Sequence, residues 1–182
     1  MRRGTLSLSV SLLGVILFFP ALSLEAPSTI PNRHTHVFDL TGEAKRLPQW
    51  EQETIMRIAG EAGVDARLLA AVRLIENGGP GREFGVLSIP APTYEDQGRA
   101  AAETIRNVIE RYQLNIGRNP VEPDGEFSVD FLRYFSQGGP GYLGYAPIGA
   151  MNDPGGLNVN HYPKLLTFYW SITTLRAYGL TG

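Results

Sequence analysis

The stretch that decides the fold is DARLLAAVRLIENGGPG, residues 65–81. It predicts one amphipathic helix, because apolar residues recur at helical spacing. The apolar face consists of Leu68, Leu69, Val72 and Ile75. Asp65 has the short acceptor side chain typical of a helix N-cap. The glycines that begin at Gly78 end the helix and offer a residue for a left-handed cap.

The same signals predict four more helices around this one. They are a helix from Leu47 to near Gly63, one opened by a Thr93–Asp96 capping box, one capped by Ser128, and one with Pro163 in its first turn. No run of alternating strands appears in the sequence. The predicted fold class is therefore all-α, helix-dominated, with at most a small β-hairpin near Phe84.

The N-terminus has the layout of an export signal. Arg2 and Arg3 precede an almost wholly apolar run from Leu6 to Phe19, and Ala21-Leu22-Ser23 offers small residues for cleavage. We expect a signal peptide over residues 1–26 and a periplasmic or extracellular protein. The alternative is an uncleaved membrane anchor, although a spanning helix needs about 20 apolar residues and this run is shorter.

The rest of the chain divides into an arm and one domain. Residues 27–46 show no sustained period and contain two prolines, Pro27 and Pro31, so we expect a linker or a docked arm. Residues 47–182 are long enough for a single domain with its own core. The chain has no cysteine, so that core must be stable without disulfides. We expect a monomer that contacts the membrane only through its N-terminal segment.

Charge and composition exclude several classes of function. The formal net charge is −2, whereas nucleic-acid-binding proteins normally carry a basic surface, so no nucleic-acid partner is expected. His34 and His36 have metal-like spacing but lie in the predicted arm, and no HExxH motif occurs. Neither a GxSxG nucleophile elbow nor a P-loop is present. We therefore expect no metal and no cofactor.

Glu76 is the candidate catalytic residue. It follows Val72 by four residues and Leu69 by seven, so it projects from the apolar face of the predicted helix. Partial burial and the negative end of the helix dipole both disfavour the charged form of its carboxylate. A carboxylic acid that keeps its proton can donate it to a glycosidic oxygen. The alternative is that Glu76 only ends the helix and reaches solvent.

The residues around Glu76 resemble the lysozyme-like lytic transglycosylases. The run LAAVRLIE, residues 69–76, is similar to the buried family helix that ends in the acid Glu. The run FGVL, residues 84–87, is similar to the glycine-containing strand that lines the family's cleft. The resemblance extends roughly from Leu47 to Tyr178, including the helices of residues 100–112 and 162–169. It implies a lysozyme-like fold, Glu76 as the catalytic acid, and Phe84 and Gly85 among the substrate-binding residues.

The sequence departs from the family pattern at three places. Asn77 follows the acid where the family has Ser, and Val86-Leu87 replaces Met-Gln. Ser136-Gln137 stands where the family has Tyr-Asn before a glycine turn. These departures indicate a divergent subgroup, or a domain that has lost catalysis.

The resemblance also implies a substrate, and a mechanism that uses a single carboxylate. Lytic transglycosylases cleave peptidoglycan glycan strands with a single Glu, which first protonates the bridging oxygen. The substrate's N-acetyl group assists, and the same Glu then acts as base while the 6-hydroxyl closes an anhydro ring. Ordinary glycosidases instead use two carboxylates. Candidates for a second carboxylate are Glu83, Asp96 and Asp153, and neither Glu83 nor Asp153 is assigned as a nucleophile.

Sugar binding requires aromatic platforms and planar amides. The stretch from Tyr142 to Asp153 is long, irregular and rich in Tyr, Gly and Asn, as functional loops often are. The substrate-binding candidates are Tyr94, Tyr134, Gln137, Tyr145 and Asn152. Each tyrosine can alternatively pack in the core or at its rim. Asn158 and His161 are interpreted only as caps of the last helix.

Two functions from different classes follow. The first is an exported enzyme that cleaves peptidoglycan, either a lytic transglycosylase or a muramidase, with Glu76 as general acid and base. The second is a non-catalytic lysozyme-like module that binds glycan or protein at the cell envelope. Replacing Glu76 with Gln discriminates the two, because only the enzyme depends on the proton of that carboxyl group.

Overall fold

The computed structural model describes residues 46–151 and 153–173. Five α-helices make up this part of the chain, in the order α1 Gln49–Ala62, α2 Ala66–Glu76, α3 Tyr94–Ile116, α4 Val129–Gln137 and α5 His161–Thr173. A short 3₁₀ turn, Leu157–Asn160, leads into α5. The expectation of a helix-dominated, all-α chain is confirmed for these residues.

No β-strand occurs in the described residues, including the segment around Phe84. The nearest equivalents are two isolated antiparallel bridges, one between Val121 and Phe127 and one between Gly139 and Tyr142. The predictions for the signal peptide of residues 1–26 and for most of the arm, up to residue 45, lie outside the described residues. None of the described helices is both long and apolar enough to cross a membrane.

Side-chain caps set the helix starts as predicted. Asp65 accepts a hydrogen bond from the N–H of Arg67 at the start of α2, and Ser128 accepts one at the start of α4. Thr93 and Asp96 form a complete capping box at the start of α3. These caps satisfy backbone N–H groups that have no partner inside a helix.

The end of α2 differs from the prediction. The left-handed residue is Asn77, with φ of 42°, and not a glycine. Asn tolerates this conformation better than most residues do. Its N–H donates to the carbonyl of Arg73, so the chain leaves the helix directly after Glu76. The glycine at 78 serves another purpose, because an added Cβ there would be 1.9 Å from the carbonyl oxygen of Arg82.

Helix α2 lies at the centre of the core and packs against α1, α3 and α5. Its residues 68–72 are buried in succession, each with 0% exposure. Replacing a leucine such as Leu69 with alanine is expected to cost about 2–5 kcal/mol, since a cavity would remain. The helix is therefore a fixed support, and its last turn, residues 73–76, is partly exposed.

One buried polar cluster ties α1, α2 and α3 together beside that last turn. Glu51 of α1 is 6% exposed and accepts from Arg73 of α2, at 2.8 and 3.2 Å, and from the Tyr94 hydroxyl, at 2.9 Å. Burial, followed by the charge of Glu51, raises the pKa of Tyr94. Glu51 and Arg73 neutralise each other's charge and form hydrogen bonds, as an ion pair away from water requires. The cluster fixes the direction in which α2 ends.

Candidate active site

Glu76 is the last residue of α2, and its side chain is 25% exposed. Its Oε1 atom lies 3.2 Å from Nε2 of His161, the first residue of α5. His161 itself is 6% exposed. The carboxylate therefore has one oxygen held by a buried ring, while part of the group stays open to solvent.

The second oxygen of Glu76 faces Gly85. A Cβ added to Gly85 would lie 2.5 Å from Glu76 Oε2, closer than real Cβ contacts allow. Gly85 also has a φ of 68°, a conformation that glycine adopts at no steric cost. Both facts explain why glycine stands here. Its backbone forms one wall of the site.

The segment that carries Gly85 is held by Gln97 of α3. Gln97 is 1% exposed, and its amide nitrogen donates to the carbonyls of Val86, at 2.7 Å, and Ala91, at 3.2 Å. Its amide oxygen accepts from the N–H of Val86 at 3.2 Å. This one side chain replaces the strand pairing that the segment lacks, because it satisfies three backbone groups of the loop.

A hydroxyl lies behind His161. Ser136 Oγ, in α4, is 2.6 Å from Nδ1 of His161, and Ser136 is 0% exposed. The contacts therefore run from the buried Ser136 through His161 to the partly exposed Glu76. The sequence analysis did not predict this series of contacts. It treated His161 as a helix cap and Ser136 as a departure from a family turn, and the residues are too far apart in sequence to suggest contact.

Tyr145 joins the two sides of the site. Its hydroxyl donates to the carbonyl of Phe84, and its ring lies between Phe135, with centroids 5.1 Å apart, and His161, at 6.1 Å. Its backbone N–H donates to the carbonyl of Phe135. Burial, with a smaller effect of the Glu76 charge, raises the pKa of Tyr145 well above its ordinary value. The hydroxyl is therefore a fixed hydrogen-bond donor to the Gly85 segment.

The other predicted binding residues fall into four groups. Phe84 is 0% and Tyr134 is 4% exposed, so their rings offer no face to a sugar, which corrects the expectation that these side chains bind substrate. Tyr94 is partly exposed, but its hydroxyl is used by Glu51. Gln137 is partly exposed at the last position of α4 and stays a candidate. Asn152 lies outside the described residues.

The three further carboxylates are not comparable with Glu76. Glu83 and Asp153 are 8% and 5% exposed, and each has one oxygen without a hydrogen-bond partner among the described residues. The other oxygen of Asp153 accepts from the N–H of Asn158 at 3.2 Å. Asp96 is used in the capping box of α3. Because Glu83 and Asp153 are buried and Asp96 caps α3, none of the three is free to attack a sugar.

The arrangement is suited to proton transfer. Ser136, His161 and Glu76 are the residue types of a hydrolase triad, but the hydroxyl is the buried end and the carboxylate is the exposed end. Glu76 is therefore accessible from solvent, whereas Ser136 is not. Within residues 46–151 and 153–173, no cluster of three or more His, Cys, Asp or Glu residues could hold a metal ion.

Comparison of the chain with protein-family models, with curated proteins and with solved structures gave no match.

Proposed function

We propose that this protein cleaves the glycan strands of peptidoglycan, as an exported lytic transglycosylase with Glu76 as general acid and base. The observation that carries the proposal is the environment of the Glu76 carboxylate. Glu76 ends a buried helix, and its side chain is 25% exposed. One carboxylate oxygen contacts His161, and the other lies against the backbone of Gly85. A carboxyl group fixed in this way can present a proton in one direction.

The chemistry requires one proton to leave Glu76 and one to return. The carboxyl group donates its proton to the bridging glycosidic oxygen as the bond from that oxygen to the anomeric carbon breaks. The substrate's own N-acetyl oxygen stabilises the positive charge at that carbon. The Glu76 carboxylate then takes the proton of the sugar's 6-hydroxyl as this oxygen bonds to the anomeric carbon. The anhydro product leaves, and Glu76 is protonated again.

The remaining carboxylates support the single-acid route over a two-carboxylate muramidase. A retaining or inverting glycosidase places its second carboxylate roughly 5–9.5 Å from the first and exposes it to the substrate or to a water molecule. Glu83 and Asp153 are buried, and Asp96 caps α3. Glu76 is thus the one carboxylate for which the described residues support a catalytic role.

The second candidate is a non-catalytic module that binds glycan or a protein of the cell envelope. Exposed apolar side chains in the loops on either side of the site favour it. Leu87 is 71%, Leu143 is 75% and Met151 is 102% exposed, and large apolar residues at the surface often mark interaction sites. Such a module would not depend on the proton of Glu76.

Incubation of the purified protein with isolated peptidoglycan, with the released sugars identified by mass spectrometry, separates these functions. Anhydro-muropeptides are expected, and their loss in Glu76→Gln with unchanged helical content would assign the proton to Glu76. Glu110→Gln, on the exposed surface of α3, is the matched control and should keep full activity. Products with reducing ends would indicate a hydrolase, whereas folded protein that releases nothing would support the binding module.

A further inference from the structure

The buried hydrogen bond between Ser136 and His161 has a preferred direction. Ser136 Oγ lies 2.6 Å from Nδ1 of His161, and among the described residues it has no second partner. Ser136 is 0% exposed, so no bulk water can accept the hydroxyl proton. A buried hydroxyl whose proton has no acceptor is strongly disfavoured. Among the described residues, donation to Nδ1 is the arrangement that gives this proton an acceptor.

This direction determines the tautomer of His161. A neutral imidazole carries one N–H, and a ring nitrogen that accepts a hydrogen bond cannot carry it. Because Nδ1 accepts from Ser136, the proton of the ring is on Nε2. That N–H lies 3.2 Å from Oε1 of Glu76 and donates to it.

We infer that Ser136 and His161 are positioning residues that keep the transferable proton of Glu76 on Oε2. The inference rests on the proposed role of Glu76 as acid and base. Oε1 accepts from His161 both before and after proton transfer, so the proton is released and recovered at Oε2, next to Gly85. His161 neither gains nor loses a proton during the cycle.

Nitrogen-15 NMR of the histidine side chains in the full-length protein tests the tautomer without reference to activity. The chain has three histidines, and His161→Gln identifies the signals of His161. We expect the neutral Nε2–H tautomer at pH 7 in the wild type and a mixture of tautomers in Ser136→Ala. An Nδ1–H tautomer or a charged ring in the wild type would overturn the inference.

Variants of the two residues test the effect on catalysis. Ser136→Ala should lower kcat roughly tenfold, the equivalent of one hydrogen bond, and shift the pH profile with little change in KM. Ser136→Cys keeps a weak donor of similar size and should recover part of this loss. Ser171→Ala is the control and should leave kcat unchanged, because its hydroxyl bonds the carbonyl of Phe168 and lies about 15 Å along α5 from His161.

Two variants of His161 test whether an N–H donor to Oε1 of Glu76 is required. His161→Gln carries an amide N–H that can reach Oε1 and should stay within roughly tenfold of the wild type, whereas His161→Phe, without a donor, should lose roughly 100-fold. If Glu76→Gln abolishes cleavage while Ser136→Ala and His161→Phe leave the rate and pH profile unchanged, the inference is wrong and the proposed function stands. If the wild type cleaves nothing, the proposed function fails, and the NMR experiment alone decides the tautomer.

Discussion

Gly85 lies against the carboxylate of Glu76, so a larger residue at position 85 would have to displace that carboxylate. A Cβ on Gly85 would be 2.5 Å from Oε2 and 2.6 Å from Cδ of Glu76. The contact joins the end of the central helix α2 to a loop with no strand pairing of its own. The position of Glu76 and the path of the loop are therefore coupled, so a change in the loop should move the carboxylate.

The first prediction concerns Gly85→Ala. The new methyl group should displace the Glu76 carboxylate and lower the rate of glycan cleavage at least roughly tenfold, because proton transfer depends on alignment. The left-handed conformation should also cost about 1–2 kcal/mol of stability. Gly63→Ala is a matched control, since Gly63 has nearly the same φ, 69° against 68°, with no atom within 4 Å of an added Cβ. It should lose similar stability in urea unfolding and keep its activity. Equal activity in both variants would contradict the prediction.

The second prediction concerns Tyr145→Phe. Without the hydroxyl, the Phe84 carbonyl loses its donor, and the free energy of unfolding should fall by about 1 kcal/mol. The cleavage rate should fall as well, because the segment with Gly85 is no longer tied to the loop after α4. Tyr162→Phe is the control on α5, because the ring under Arg133 is retained and the hydroxyl bonds none of the described residues. Chemical denaturation and initial rates measure both effects. An unchanged rate in Tyr145→Phe would show that this hydrogen bond does not position the site.

The third prediction concerns Gln97→Met. Methionine has nearly the same length but leaves the N–H of Val86 and the carbonyls of Val86 and Ala91 without their partner. We expect a loss of about 2–4 kcal/mol in stability, since three buried backbone groups are affected. Gln52→Met, which breaks one bond, to the carbonyl of Leu47, should cost about 1 kcal/mol. Similar losses in the two variants would mean that Gln97 does not hold the loop.

The fourth prediction concerns stability at high pH. Burial raises the pKa of Tyr142 to about 12 and also raises that of Tyr94, Tyr145 and Tyr169. Above about pH 10 the unfolded chain releases these protons while the folded chain retains them. This part of the stability is therefore fully present below pH 10 and is lost as the pH rises through the folded-state values. The expected slope is about 1.4 kcal/mol per pH unit for each retained proton.

Urea unfolding between pH 8 and pH 11 measures that decline. Tyr142→Phe removes one of the four groups, so its stability should fall less steeply with pH than that of the wild type. A stability that stays constant from pH 9 to pH 11 in the wild type would refute the prediction.

The helices could be predicted from the sequence because their signals are local. Apolar spacing over a few turns and a capping side chain lie within one segment, so Asp65, Ser128 and the Thr93–Asp96 box marked three starts. Glu76 could likewise be placed at the end of α2 and on its apolar face. The left-handed residue was predicted wrongly, because Asn77 and Gly78 can both end a helix and only the local packing distinguishes them.

The sequence by itself determined the helical class, three of the helix starts and the choice of Glu76 as the candidate residue. Only the tertiary structure decided what the carboxylate contacts, since His161 is 85 residues away in the chain and reaches it through the packing of α5 on α2. The same packing brings Ser136 to His161 and buries the rings of Phe84 and Tyr134. An aromatic ring or a histidine carries no local signal of its partner, because its neighbours are set by which helix faces meet and not by the residues beside it.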